Sequence, residues 1–165
     1  MTDHAQFAKG LFEQGYGCAQ SVFAAFCDVT GMEQDTALRL ASSFGGGMGR
    51  LREVCGAVTG MFMVAGLLYG YTNANDDTAK AKHYALIQSL AQSFRDLHGS
   101  YICRDLLGET QSDQSPVPSV RTTAYYAARP CSTLVYSAAR MLDDLIRTTP
   151  PVRHHTLAKG EKHEK

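Results

Sequence analysis

Apolar residues recur about every three to four positions along most of the chain, which is the period of amphipathic helices. Residues 76–98 show this most clearly: they begin with aspartates suited to a helix start and end before Gly99. Residues 130–147 begin with a proline, which is favoured in the first turn. The pattern predicts further helices over 3–13, 16–27, 34–43, 52–69 and 101–107, and a short one from Thr122.

No segment shows the alternation between hairpin turns that is typical of strands. We therefore expect an all-α fold, a compact bundle of about six to eight helices around a glycine-rich buried helix at 52–69. We expect residues 1–147 to form a single helical domain and the proline- and lysine-containing residues 148–165 to form a disordered tail. The polar, proline-containing stretch 109–119 reads as a loop.

The charge balance and the hydropathy of the sequence indicate which kinds of partner and location to expect. The 16 basic and 16 acidic residues cancel, so we expect no nucleic-acid partner. The first residues lack the apolar core of a signal peptide, and the most apolar run, 57–69, is too short to span a bilayer. We expect a cytoplasmic protein without membrane insertion.

Four of the five cysteines share one placement. Cys18, Cys55, Cys103 and Cys131 each fall in or near the first turn of a predicted helix, where free backbone N–H groups and the helix dipole lower the pKa of a thiol. Cys27 differs, because it closes its predicted helix and points away from the Cys18 side. Apolar neighbours indicate that the four thiols point inward, so we expect them to meet at one end of the bundle.

CGAVTG, residues 55–60, places small residues beside one of these thiols. Gly56, Ala57 and Gly60 would give the helix a thin surface that another backbone can approach closely. We expect a neighbouring helix start to bring its own cysteine towards Cys55 there. Helix packing without chemistry is the alternative interpretation.

The preceding loop, FGGGMGR at 44–50, is also rich in glycine. It lacks the Lys-Ser/Thr ending of a phosphate-binding loop and follows no predicted strand. We expect Gly45, Gly46 and Gly47 to make a tight turn that lets the chain pass close to the cysteine site. Arg50 and Arg52 would raise the positive potential around Cys55 if they faced it, but arginines near surface loops are usually solvated, and we expect that here.

Four segments, taken in order, resemble a known family: GYGCAQSVFAAF (15–26), FGGGMGRLREVCGAVTGMFMVAGLLYG (44–70), YICRDLLG (101–108) and PCSTLV (130–135). They are similar to the C-GCAxxG-C-C family of redox-active proteins, whose CGAxxG signature matches 55–60. The resemblance extends from about Leu11 to Ile146. It implies that the four characteristic cysteines of the family are Cys18, Cys55, Cys103 and Cys131, that Cys27 has no counterpart, and that the chemistry is thiol- or metal-linked redox chemistry.

Three functions stay open at this point. In the first, two of the four cysteines, with Cys55 expected among them, form a reversible disulfide in the manner of a thiol oxidoreductase, and a redox partner protein or a small thiol exchanges electrons with them. In the second, all four cysteines bind an iron–sulfur cluster or zinc, although no two come from one short loop. In the third, the cysteines are inert and the bundle is a structural or interaction module, for which a homodimer is one possibility.

Overall fold

A computed structural model describes residues 2–108 and 113–151 of the chain. Within these residues there are nine α-helices and no β-strand, which confirms the expected all-α fold. The helices are α1 (His4–Glu13), α2 (Cys18–Ala25), α3 (Cys27–Thr30), α4 (Gln34–Ser42), α5 (Gly56–Tyr69), α6 (Asp77–His98), α7 (Cys103–Leu107), α8 (Thr123–Ala128) and α9 (Cys131–Thr148). The predicted tail after residue 151 and the first part of the 109–119 loop lie outside the described residues.

Helix α5 forms the centre of the bundle, because its sequence is apolar on almost every side. It packs against α2 and α9, while α1 lies across α9 and α2, and α4 covers α2. The long helix α6 joins this core less extensively and buries only Leu90 and Phe94. No helix in the described part of the chain has both the length and the apolar composition that a bilayer crossing requires.

Several helix ends follow the signals in the sequence. Asp76 accepts a hydrogen bond from the backbone N–H of Ala79 at 2.8 Å, which satisfies a free donor in the first turn of α6. Gly99 follows the last turn of α6 with φ of +87°, the left-handed conformation that glycine adopts without steric cost.

The structure differs from the predicted boundaries at two helices. The central helix begins at Gly56 rather than at residue 52, because Arg52 has a φ of +63° and Val54 pairs with Ile102 in an isolated antiparallel bridge. The predicted helix 16–27 ends at Ala25, since Phe26 leaves helical geometry, and the four-residue helix α3 follows. Cys27 therefore opens a short helix instead of closing a longer one, and this extra helix takes the count above the expected range.

Candidate functional site

The four cysteines that share a placement in the sequence line one cavity. Cys18, Cys103 and Cys131 are the first residues of α2, α7 and α9, and Cys55 is the residue immediately before α5. The cavity has a volume of about 170 Å³, and Cys27 does not line it. Cys55, Cys103 and Cys131 are buried, Cys18 is partly exposed, and all are free thiols.

Close contact between α2 and α5 brings Cys18 into this cavity. A Cβ added at Gly56 would lie only 3.1 Å from the Cβ of Cys18 and 2.9 Å from the carbonyl oxygen of Phe44. A Cβ at Gly60 would lie 2.8 Å from the carbonyl oxygen of Ala19. The separations of 2.9 and 2.8 Å are shorter than real Cβ atoms show, so the small residues after Cys55 admit the start of a second helix, as the sequence indicated.

The glycine loop plays the same part for Cys103. Residues 46–50 all have positive φ, between +59° and +71°, and form a left-handed turn. A Cβ added at Gly47 would lie 2.6 Å from the Cβ of Cys103, so the start of α7 rests directly on this turn. The expectation of a tight turn that passes close to the cysteine site agrees with this geometry.

Backbone hydrogen bonds fix Cys55 and Cys103 beside each other. The N–H of Cys103 donates to the carbonyl of Glu53 at 2.6 Å, and the N–H of Cys55 donates to the carbonyl of Tyr101 at 2.9 Å. These bonds flank the Val54–Ile102 bridge. The two residues are therefore held by the backbone and not only by side-chain packing.

Cys18 and Cys131 act on each other's ionisation. The interaction between their side chains raises the pKa of Cys18 well above its ordinary value and lowers the pKa of Cys131. Burial opposes the lowering at Cys131, but the positive charges of Arg129, Arg121 and Arg52 add to it. Cys131 is thus the thiol of this pair that ionises first.

The other two thiols hold their protons more tightly. Burial raises the pKa of Cys55 to about 12, although the N–H groups of Ala57 and Val58 at the start of α5 act in the opposite direction. Burial also raises the pKa of Cys103, against the Arg52 guanidinium, which acts to lower it. The prediction that a helix start lowers the pKa of each thiol is therefore wrong for Cys18, Cys55 and Cys103, chiefly because desolvation of a thiolate outweighs the attraction of the backbone N–H groups at the two buried sites.

Four arginines line the site: the sequence interpretation considered Arg50 and Arg52 but favoured solvation, and it did not identify Arg121 or Arg129. Arg52 was expected to be solvated, yet only 2% of its surface is exposed. It lines the cavity with Arg50, Arg121 and Arg129. Arg121 donates to the carbonyl oxygens of Phe12 and Tyr16, far from it in sequence, so no local pattern would have revealed its position.

In the described residues, the four cysteines are not arranged as the ligands of one metal ion. Within 2–108 and 113–151, no group of three or more Cys, His, Asp or Glu side chains is close enough to hold one metal ion.

The fold is all-α, and four thiols at helix starts line one of its cavities. The chain is therefore a helical protein whose candidate site is made of cysteines. A family model described as "Putative redox-active protein (C_GCAxxG_C_C)" matches residues 16–145. The chain belongs to this family, as the resemblance predicted, and the family description supports a redox role in general terms. No curated protein and no solved structure matches the chain significantly.

Proposed function

We propose that the protein carries out reversible thiol–disulfide exchange and that Cys18 and Cys131 form its redox pair. What supports this proposal is that both residues begin helices beside one cavity and that each shifts the pKa of the other, although they are 113 positions apart in sequence. Cys55, which the sequence interpretation favoured, is the weaker choice because its pKa of about 12 keeps it protonated near neutral pH.

The exchange can be written so that atoms and electrons balance. The thiolate of Cys131 attacks one sulfur of a disulfide R–S–S–R, a mixed disulfide forms, and one R–S⁻ leaves with the proton of the Cys18 thiol. The sulfur of Cys18 then attacks the sulfur of Cys131 and releases the second R–S⁻, which takes up a proton from solvent. Two electrons pass from the cysteine pair to the substrate, and a reducing thiol reverses the sequence.

The assignment of roles follows from the two environments. Cys131 has the lowered pKa and so supplies more thiolate at neutral pH. Cys18 has the raised pKa and so keeps its proton near neutral pH, which makes it the proposed group that protonates the departing thiolate and then resolves the mixed disulfide. Cys55 and Cys103 line the same cavity and take no part in this minimal reaction.

The size of the cavity restricts what reaches the pair. Its volume of about 170 Å³ is close to that of an engineered cavity of about 150 Å³ that binds benzene. A small disulfide, or the narrow end of a longer molecule, fits such a space. The proposed substrate is therefore a small thiol or disulfide rather than the surface of a folded protein.

A redox titration of the full chain tests the proposal. Reduced protein is equilibrated anaerobically with glutathione buffers of rising oxidised fraction, free thiols are trapped with N-ethylmaleimide, and intact masses are measured. We expect the wild type to lose two thiols together, Cys18→Ser and Cys131→Ser to lose none in that step, and Cys27→Ser to behave as the wild type. An unchanged two-thiol loss in Cys131→Ser would refute the pairing.

The same preparation tests the metal alternative. Iron, zinc and visible absorbance are measured on protein purified without oxygen. Stoichiometric iron with visible absorbance would favour a cluster held by the four cysteines over thiol–disulfide exchange. Metal-free, colourless protein that oxidises reversibly supports the exchange reaction.

A further inference from the structure

Arg52 carries a buried positive charge that the described residues do not neutralise. Its side chain is almost fully buried, its Nε donates to the backbone carbonyl of Asp113 at 2.8 Å, and its Nη2 is buried without a hydrogen-bond partner within the described part of the chain. Arg52 forms no ion pair with a carboxylate of the described residues, although its charge contributes to the lowered pKa of Asp113. A buried guanidinium in this state is costly unless an anion pairs with it.

The surroundings of Arg52 are positive as well. No acidic residue lines the cavity among the described residues, whereas Arg50, Arg121 and Arg129 do line it. Arg50 has its own partner, the carboxylate of Asp113 at 2.9 Å. Arg121 and Arg129 lie over the ring of Tyr125, at 4.9 and 4.8 Å from its centroid, and neither forms an ion pair with a described carboxylate.

We propose that the cavity binds a small thiol or disulfide that carries an oxyanion group, a carboxylate being the simplest case, and that the Arg52 guanidinium is the main partner of that group. This inference rests on the proposed function and names the chemical class of its substrate. A guanidinium presents parallel N–H donors that match the two oxygens of a carboxylate. The anion would compensate the charge of Arg52 and hold the sulfur of the ligand in the cavity that Cys131 lines.

Arg52 has a second possible role, and the test must separate the two. Its charge acts against the raised pKa of Cys103 and contributes to the lowered pKa of Cys131, so it stabilises thiolates whether or not it binds a ligand. If Arg52 acts only on thiolates, its removal changes the rate at which Cys131 reacts with every electrophile by the same factor. An anion-binding role favours only electrophiles that carry a negative charge.

Iodoacetate and iodoacetamide make this distinction, because they differ mainly in charge. Alkylation rates at each cysteine are measured by mass spectrometry on the reduced full-length protein. The rate with iodoacetate at Cys131 is divided by the rate with iodoacetamide, and this ratio is divided by the same ratio for 2-mercaptoethanol to give a quotient. The thiolate fraction cancels in this quotient. We expect a quotient of about ten, the factor that one charge-assisted hydrogen bond gives.

Variants at Arg52 identify the group responsible. Arg52→Gln should bring the quotient to about one, and Arg52→Lys should retain part of the preference because it keeps the charge but loses the planar fork. Arg140→Gln is the matched control, since it removes one positive charge from the exposed surface of α9, outside the cavity. The ratio at Cys27 should stay constant in all three variants and serves as an internal reference.

A competition experiment on the wild type covers the case in which Arg52→Gln does not fold. Sodium sulfate should slow the iodoacetate reaction at Cys131 severalfold more than sodium chloride does at equal ionic strength, and it should not affect Cys27 in this way. A quotient near one in the wild type, or no protection by sulfate beyond that of chloride, would overturn the inference. A high quotient that persists in folded Arg52→Gln would overturn the assignment to Arg52.

The inference and the proposed function can fail separately. A high quotient in a protein that forms no Cys18–Cys131 disulfide would leave an anion site without the proposed exchange reaction. A Cys18–Cys131 disulfide with a quotient near one would leave the exchange reaction and remove the anionic substrate class.

Discussion

The Cβ of Cys18 lies where a side chain at position 56 would have to be: a Cβ built on Gly56 would come within 3.1 Å of it. The relationship continues one turn later, where a Cβ on Gly60 would come within 3.0 Å of the Cβ of Val22. Helix α2 can therefore pack on α5 at this depth only because both positions lack side chains. The position of Cys18, and with it the contact to Cys131, depends on these two glycines.

Substitution of these glycines should destabilise the protein. Gly56→Ala and Gly60→Ala force α2 away from α5, and overpacking of this kind lowers the free energy of unfolding by about 1–3 kcal/mol. Urea unfolding followed by circular dichroism measures the change. The Cys18–Cys131 disulfide should also form in lower yield in these variants, because the displacement acts on α2 where it starts.

Gly66→Ala is the matched control on the same helix. No atom lies within 4 Å of a Cβ built at Gly66, so this substitution should raise the free energy of unfolding by up to about 1 kcal/mol through helix propensity. Equal stability changes in the Gly56 and Gly66 variants would contradict the packing argument.

The thiols should react in a definite order as pH rises. The pKa of Cys131 lies below its ordinary value of 9.0, while burial raises that of Cys55 to about 12. Iodoacetamide should therefore modify Cys131 at a lower pH than Cys55. Cys18→Ala removes the side chain that contributes most to the lowered pKa of Cys131, so the pH profile of Cys131 should move upward. A profile that stays in place would show that the Cys18 thiol does not act on Cys131.

Stability should fall in alkaline solution because of Cys55. Its thiol has a pKa of about 12 in the folded protein against an ordinary value of 9.0, so above pH 9 the unfolded chain releases a proton that the folded chain retains. The contribution is fully present below pH 9 and is lost as pH rises towards 12, at roughly 1.4 kcal/mol per unit. Urea unfolding at pH values of about 8, 9 and 10 should show a shallower decline in Cys55→Ala than in the wild type.

Local signals were sufficient to place Cys18, Cys103 and Cys131 at helix starts. Gly17, Ser100 and Pro130 precede Cys18, Cys103 and Cys131 at distances that mark a first turn, and such signals act through the backbone within a few residues. The close approach at Gly56 and Gly60 was also predictable, because small residues one helical turn apart allow a second backbone to pack closely against the helix. These expectations concern neighbours along the chain.

The remaining features depend on how distant segments pack. The contact between Cys18 and Cys131 follows from the packing of α2 and α9, which no local pattern encodes. Arg52 is buried because its φ of +63° turns the chain out of the predicted helix, and nothing in its residue type indicates that conformation. Burial raises the pKa of Cys55 and outweighs the opposite effect of the backbone N–H groups at the helix start, which was the only effect that the sequence indicated.

The most direct test of the central claim is a disulfide map of the full-length protein after oxidation by one equivalent of a small disulfide. The oxidised protein is alkylated and digested, and the linked peptides are identified by mass spectrometry. We expect one dominant linkage, between Cys18 and Cys131, which disappears on reduction and is unaffected by Cys27→Ser. A dominant linkage between Cys55 and Cys103, or four thiols that all remain reduced, would contradict the account.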